Sequence, residues 1–587
     1  MSRHPNPVVR TLVVAIGLSA VLAAGCQKKT PPAPAVATPA PASAGREQWP
    51  KYVDGLLERY FAAQPPFAVY QGRHEFDGRL PDWSAAGIRK EIERLHHERE
   101  NAAAFKDESL TGTQRFERDY VLSRIDADLF WLEQAESPFT NPAYYFDNGL
   151  DPSVYVSRPY AAQEKRLRAF AAYARAVPTA VRQIHDNLRT PLPKSFIAYG
   201  IAGFAGFADF YRKDVPLAFA EVKDPALQQE LKDAIAPAAA AMDEIAKWLK
   251  SEQPHGTADF ALGPQRFAQM LLMTENVDTP VAQIKAAGAA DLERNLVSLK
   301  QACAQLLPKG SIRKCVERVG ADKPQGGIVA GARAQLSELR QFIIDKSLVT
   351  IAGNEQAQVE EAPPYNRQNF AYISIPGPYD KGLPSIYYLA PPDPAWSKAE
   401  QQAYIPGKAD LLFTSAHEVW PGHFLQFLHS NRSAFGFGQI FVGYAFAEGW
   451  AHYAEELMWD AGFGQGAPDV HVGQLLNALQ RDVRLQCAIG LHTEAMSVAQ
   501  CERMFREKAF QDPGNARQQA SRGTYDPAYL NYTMGKLMIR KLRDDWLAQH
   551  APAATLRQFH DAFLSYGGPP IPLVRKQMLP NDTLALF

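Results

Sequence analysis

Cysteine is scarce in this chain, five residues in 587. That rules out a small disulfide-dense scaffold, and no four-cysteine zinc site has support in their spacing. Net charge is nearly absent too, at −1. Without a basic excess or an acidic tail, the chain lacks the electrostatic footprint of a nucleic-acid binder. The apolar run at residues 11–25 is 15 residues long, short of the ~20 needed to span a bilayer. There is no Gly-x-Ser-x-Gly nucleophile elbow, no phosphate-binding loop and no dinucleotide fingerprint. No fixed-period repeat occurs, and low complexity ends by residue 45. With 46% hydrophobic residues, the remainder is long enough for one large core or several fused ones.

The first 45 residues read as targeting and tether. Arg3 and Arg10 supply a basic start, the apolar run follows, and Leu22-Ala23-Ala24-Gly25-Cys26 resembles a bacterial lipobox. Residues 1–25 are then a signal peptide and Cys26 the lipidation site, anchoring the protein to a membrane without threading it. The alternative is a cleaved, unlipidated export signal. Gln27 after the cysteine, by analogy with bacterial sorting, favours an outer-membrane destination in the cell envelope. Residues 26–45 end in a Pro/Ala run with no large apolar residues for a core, an extended tether.

Beyond residue 45, apolar residues recur with helical period. The pattern predicts helices near 47–63, 84–105, 112–135, 161–187, 224–250, 279–305 and 328–347. Further ones follow near 409–430, 440–461, 469–510, 527–548 and 553–565. The expected fold is mainly α, with a cleft. Two β-branched, aromatic segments, 370–375 and 385–389, predict a small sheet just before residue 417. Gly/Pro punctuation at 351–368 divides an N-terminal helical region, 46–350, from a C-terminal region, 351–587. Both are expected to form one compact unit. Cys303 and Cys315 flank a probable turn and are a candidate disulfide. Cys487 and Cys501 lie 14 apart on one predicted helix, about 21 Å along its axis, so a continuous helix keeps them from bonding.

The chemistry concentrates in Ala416-His417-Glu418-Val419-Trp420-Pro421-Gly422-His423 and, 25 residues on, Glu448-Gly449-Trp450. Catalytic zinc takes three protein ligands and keeps a position open. His417, His423 and Glu448 are the candidate ligands, and Glu418 the candidate base. The two histidines are six apart, not the four of the common H-E-x-x-H pattern. On a regular helix they would point roughly 120° apart. The backbone must therefore bulge or unwind between Val419 and His423, where Pro421 and Gly422 allow it. The plain alternative is a helix that ends at Pro-Gly with His423 as a cap. Glu448, His452 and Glu455 share one face of the following helix, which makes His452 a rival third ligand. The triplet His96-His97-Glu98 sits in a densely charged helix and reads as a solvated face.

These segments resemble the signature of a bacterial family, domain of unknown function 885, whose members are often called lipoproteins. The resemblance extends to Gly-Leu-Pro-Ser-Ile-Tyr-Tyr-Leu at 382–389, to Gly490-Leu491-His492 and to Tyr532-x-x-Gly535-Lys536. The family is grouped with the Glu-zincin metallopeptidases, which implies a helical metallopeptidase fold. Many members carry Asp four residues before the His of Gly-x-His; this chain has Ala488 there.

The function these readings lead to is a membrane-anchored, zinc-dependent hydrolase of peptide bonds, with one Zn2+ per chain and short peptides as substrates. Two alternatives stand beside it: a non-catalytic peptidase-like lipoprotein that binds peptides or a partner, and a zinc hydrolase of a non-peptide amide. His492 and Tyr532 are candidate oxyanion donors, and Arg484, two turns before His492, a candidate for a substrate carboxylate. Tyr387 and Tyr388 lie on the strand expected to pair with a substrate backbone.

Overall fold

The computed structural model describes residues 42–363, 367, 370–394, 396–581 and 585–587, with no side-chain description for 42–44. The signal peptide, Cys26 and nearly all of the tether fall outside them. Residues 42–587 form one compact unit, and it is mainly α as expected. Among the described residues, no helix is long and apolar enough to cross a membrane.

Helical periodicity located most elements to within a few residues. Ala85–Ala104, Gln163–Asn187, Pro225–Glu252, Val281–Leu306 and Ile328–Lys346 all lie on predicted stretches. Their starts have local causes. Ser84 and Asp224 accept hydrogen bonds from first-turn amides of the first and third of these, which satisfies donors that a helix leaves unpaired. Helix Lys194–Asp209 was not anticipated. Its sequence is largely Phe, Ala, Gly and Ile, with too few polar residues to show a period.

Two hydrophobic cores fill the unit. One is built from residues 49–249 with Phe437, Ile440, Phe441 and Leu573. The other runs from Phe267 to Leu586, joined by Phe130 and Ala135. The change of core thus falls near residue 260, not at 351. Helices Pro264–Glu275 through Ile328–Lys346 belong with the C-terminal core because their apolar faces pack there. A hydrogen bond crosses the seam: Ser123 Oγ donates to Asn276 Oδ1 at 3.1 Å.

The sheet has three strands, β1 (Ala357–Glu361), β2 (Ala371–Ser374) and β3 (Ser385–Leu389), in the order β1-β3-β2. β1 pairs parallel to β3, with Val359 opposite Tyr387, and β2 pairs antiparallel, with Ile373 opposite Tyr387. β1 escaped the sequence reading because Ala-Gln-Val-Glu-Glu offers one buried side chain, Val359. β3 is central and has no free edge to offer a substrate backbone. Its side chains are committed as well. Tyr387 is fully buried with its hydroxyl 3.4 Å from Ser415 Oγ, and Tyr388 packs on Tyr372 at 5.2 Å. Tyr387 therefore supports the helix that ends at Glu418, and Tyr388 is committed to Tyr372 within the sheet, so neither side chain is free for a substrate.

Both described cysteine pairs are disulfides. Cys303–Cys315 closes the expected loop. Cys487–Cys501 also forms, against expectation, because the predicted 469–510 helix is two helices, Pro468–Thr493 and Val498–Glu507. The chain turns back at 494–497, where Ala495 has φ +55°, and brings the two Cα atoms to 5.5 Å.

Candidate metal centre

The helix that carries His417 ends where the ligand geometry requires. Helix Lys408–Glu418 stops at Val419 (φ −123°, ψ −74°), and helix His423–Ser430 starts after Gly422 (φ −73°, ψ −131°). Gly422 N–H donates to the carbonyl of Ala416 at 2.9 Å. A Cβ on Gly422 would lie 1.8 Å from the carbonyl oxygen of His417, so no other residue fits this fold-back. Trp450 fixes it from the neighbouring helix, its indole N–H donating to the carbonyl of Pro421 at 2.8 Å.

The third candidate ligand, Glu448, arrives on helix Tyr444–Asp460, which crosses helix Asn531–His550 in close contact. A Cβ on Gly449 would meet Gly535 Cα at 2.6 Å, and one on Gly535 would meet the carbonyl oxygen of Ala445 at 2.2 Å. Two glycines face to face let the backbones approach. This explains the glycine in Glu-Gly-Trp and the one in Tyr-x-x-Gly-Lys together. It also sets Tyr532, one turn before Gly535, against the site.

The result is a cluster in which ligand atoms of His417, His423 and Glu448 all lie within 4.8 Å of one another. Glu448 Oε2 is 3.2 Å from His417 Nε2 and 3.3 Å from His423 Nε2. Neither contact has hydrogen-bond geometry, and Glu448 Oε2 and His423 Nδ1 are buried without a hydrogen-bond partner. Three converging lone-pair donors with an orphaned carboxylate oxygen among them fit a cation. His452 is not part of the trio. It is fully buried, and burial and the Lys536 charge push it down to about 3, so it is neutral. It lies 3.6 Å from Glu455.

Behind the trio sits an orienting layer. Glu455, fully buried, accepts from His417 Nδ1 at 2.7 Å and is ion-paired with Arg481 at 3.0 Å. Burial works to raise its carboxyl, but Arg481, His417 and His452 hold it well below the usual range. A hydrogen bond at Nδ1 fixes the ring and turns Nε2 toward the metal position. Burial and Arg481 oppose charge on His417, yet Glu448 and Glu455 outweigh them and raise it to about 9. The pocket demands a positive charge. Glu418, half-buried, is the last residue of its helix and directly follows His417 in the chain. Sequence reasoning placed Glu455 on the shared face but missed its partner Arg481, since nothing local in a helix announces a contact to a chain segment 26 residues away.

The remaining candidates divide. Tyr532 lies beside the trio, its ring stacked on His417 at 6.2 Å. Arg484 sits over Tyr532, 4.6 Å from the ring centre, and donates to Gln519 Oε1 at 2.8 Å. His492 is corrected. One ring nitrogen pairs with the carbonyl of Gly523 at 2.8 Å, and the other accepts from Leu262 N–H at 3.2 Å. Both nitrogens are spent tying distant backbone segments together, which leaves none for an oxyanion. His96 and His97 are exposed as expected, but Glu98 is buried and paired with Arg59.

Glu448, Asp526 and Arg522 keep 20%, 23% and 31% of their side chains exposed, so solvent reaches all three. Asp147 and Tyr199 of the N-terminal region come close to this group: Tyr199 stacks on Tyr525 at 4.2 Å, and burial and Asp526 push Asp147 up to about 7.

This is a two-His, one-Glu cluster in a mainly helical fold with a small three-stranded sheet. The chain belongs to the bacterial family of unknown function DUF885, which matches residues 65–578. No curated protein matches it. Two solved structures share the fold at a TM-score of 0.75. One is described as a "putative lipoprotein of unknown function" from Shewanella oneidensis, 22% identical, covering 90% of this chain and 99% of its own. The other is described as a "putative lipoprotein" from Colwellia psychrerythraea, 18% identical, covering 91% of this chain and 98% of its own.

Proposed function

We propose that the protein is a zinc-dependent hydrolase of peptide bonds. The observation that carries this reading is the convergence of His417, His423 and Glu448 on one point, with Glu448 Oε2 orphaned between two imidazole nitrogens and Glu418 next to His417. When bound, zinc supplies Lewis acidity, polarising a carbonyl and making water a competent nucleophile near neutral pH. The protein's own groups do the rest. Glu455 and Arg481 hold the His417 ring in place. Glu418, which is not in the trio, is placed to take the proton from the attacking water and hand it to the leaving amine. Tyr532, stacked against His417, is placed to donate to the developing oxyanion.

Elemental analysis should find one zinc per chain, lost in His417→Ala and Glu448→Ala. Glu418→Gln should keep the zinc and lose about two to four orders of magnitude in peptide turnover, the scale of a general base. Wild-type turnover in that variant would sink the mechanism and favour a binding scaffold.

The lipobox resemblance at Cys26, together with the description given to the two structural neighbours, supports a lipid-anchored protein of the cell envelope, with the outer membrane as its site. Cys26→Ser should move the protein out of the membrane fraction. Unchanged fractionation would refute the anchor.

A further inference from the structure

Three arginines crowd the site, and one has no counter-ion. Arg481 pairs with Glu455 at 3.0 Å and Arg522 with Asp526 at 2.9 Å. Arg484 is only 7% exposed, and no carboxylate among the described residues lies within ion-pair distance of it. Its Nε donates to the neutral amide oxygen of Gln519 at 2.8 Å, and Tyr532 offers the face of its ring at 4.6 Å. Its two terminal nitrogens are not among the atoms sealed without a partner; they reach solvent. Burial works against its charge, and the charges of Arg522 and Arg481 add to the effect. A buried cation left unpaired is costly, so the arrangement calls for an anion from outside.

The position says which anion. The Tyr532 ring touches both centres, 4.6 Å from the guanidinium and 6.2 Å from the ring of His417, and these two distances bound their separation. That span is no more than about three extended residues at ~3.3–3.6 Å each. A guanidinium binds a carboxylate bidentately and a neutral peptide carbonyl far less well.

We propose that Arg484 anchors the terminal carboxylate of a peptide, so that the site cleaves one to three residues from a free C-terminus. This rests on the peptidase reading above and narrows it: an internal segment of a long chain would bring only neutral carbonyls and leave Arg484 unpaired.

The test uses the zinc-loaded protein and one peptide without acidic residues, made as the free acid and as the C-terminal amide. Wild type should prefer the acid about ten- to a hundredfold in kcat/KM, the worth of a charge-assisted pair. Arg484→Gln should bring that ratio to within about twofold of one. Should Arg484→Gln fail to fold, Gln519→Glu is isosteric and gives the guanidinium an internal carboxylate; it should shrink the ratio as well. Equal cleavage of both peptides by wild type, or a ratio that survives in Arg484→Gln, would overturn the proposal. So would an amidated peptide with an added Glu being cleaved as well as the free acid, since that assigns the anchor to acidic side chains. Calorimetric binding of both peptides to Glu418→Gln separates the two ideas. Discrimination in binding with no turnover by wild type keeps the anchor and removes the peptidase. Turnover without discrimination keeps the peptidase and removes the anchor.

Discussion

At the scale of single residues, the site is defined as much by the groups behind the ligands as by the ligands. Glu455 makes no contact with the metal position, yet it is the most constrained carboxylate in the region, fully buried and held by His417 and Arg481. Glu455→Gln keeps the shape and one acceptor oxygen but removes the charge that holds the His417 ring and balances Arg481. Zinc affinity, measured by competition with a chelator, should fall about ten- to a hundredfold, the usual cost of losing such a partner. Helical content should stay as in wild type. Unchanged affinity would show that the His417 ring is held by packing alone, with Tyr532 stacked on it as the main brace.

At the scale of elements, legibility in the sequence follows the range of the interactions. Helices were readable because their period is local, and the break between Glu418 and His423 was readable because metal geometry forbids a straight helix there. The break at 494–497 carried a local mark that went unused. Ser497 and Gln500 form a capping box at the start of helix Val498–Glu507, and such a box announces a new helix. Reading it would have allowed the Cys487–Cys501 bond. His492 shows the other limit. Its place on a buried helix was legible, but its partners, Leu262 and Gly523, come from segments 230 and 31 residues away. The same holds for β3, whose aromatic alternation marked it as a strand while its central position depended on β1, a polar segment with almost no strand signal of its own. The glycines in the two motifs are a middle case. Their presence was plain, but their reason, a close crossing of helices Tyr444–Asp460 and Asn531–His550, needed both helices in place.

At the scale of the whole molecule, one carboxyl links the helices that bear Glu448 and Tyr532. Glu275 ends helix Pro264–Glu275 and is 2% exposed. Its Oε1 accepts from Ala445 N–H at 3.3 Å, in the first turn of the helix bearing Glu448, and from Asn531 Nδ2 at 2.9 Å, in the first turn of the helix bearing Tyr532. Its Oε2 is buried without a partner. Burial pushes this carboxyl up to about 8, and the hydrogen bonds from Ala445 and Asn531 offset it only in part. The unfolded chain ionises the same group near its ordinary value of 4.5. Between those two values the folded state holds one proton more than the unfolded state, so stability falls as pH rises through that window and levels off above about 8. From pH 4.5 to 7 the loss is about 3 kcal/mol at 1.36 kcal/mol per pH step. Glu275→Gln keeps the oxygen acceptor for both donors and cannot ionise, so it removes this slope. Melting temperatures of the two proteins, followed from pH 5 to 8, should diverge in favour of the variant by about 2–5 °C. Parallel curves would show that Glu275 keeps its charge in the folded protein, held at the start of helix Tyr444–Asp460 as an ionised cap.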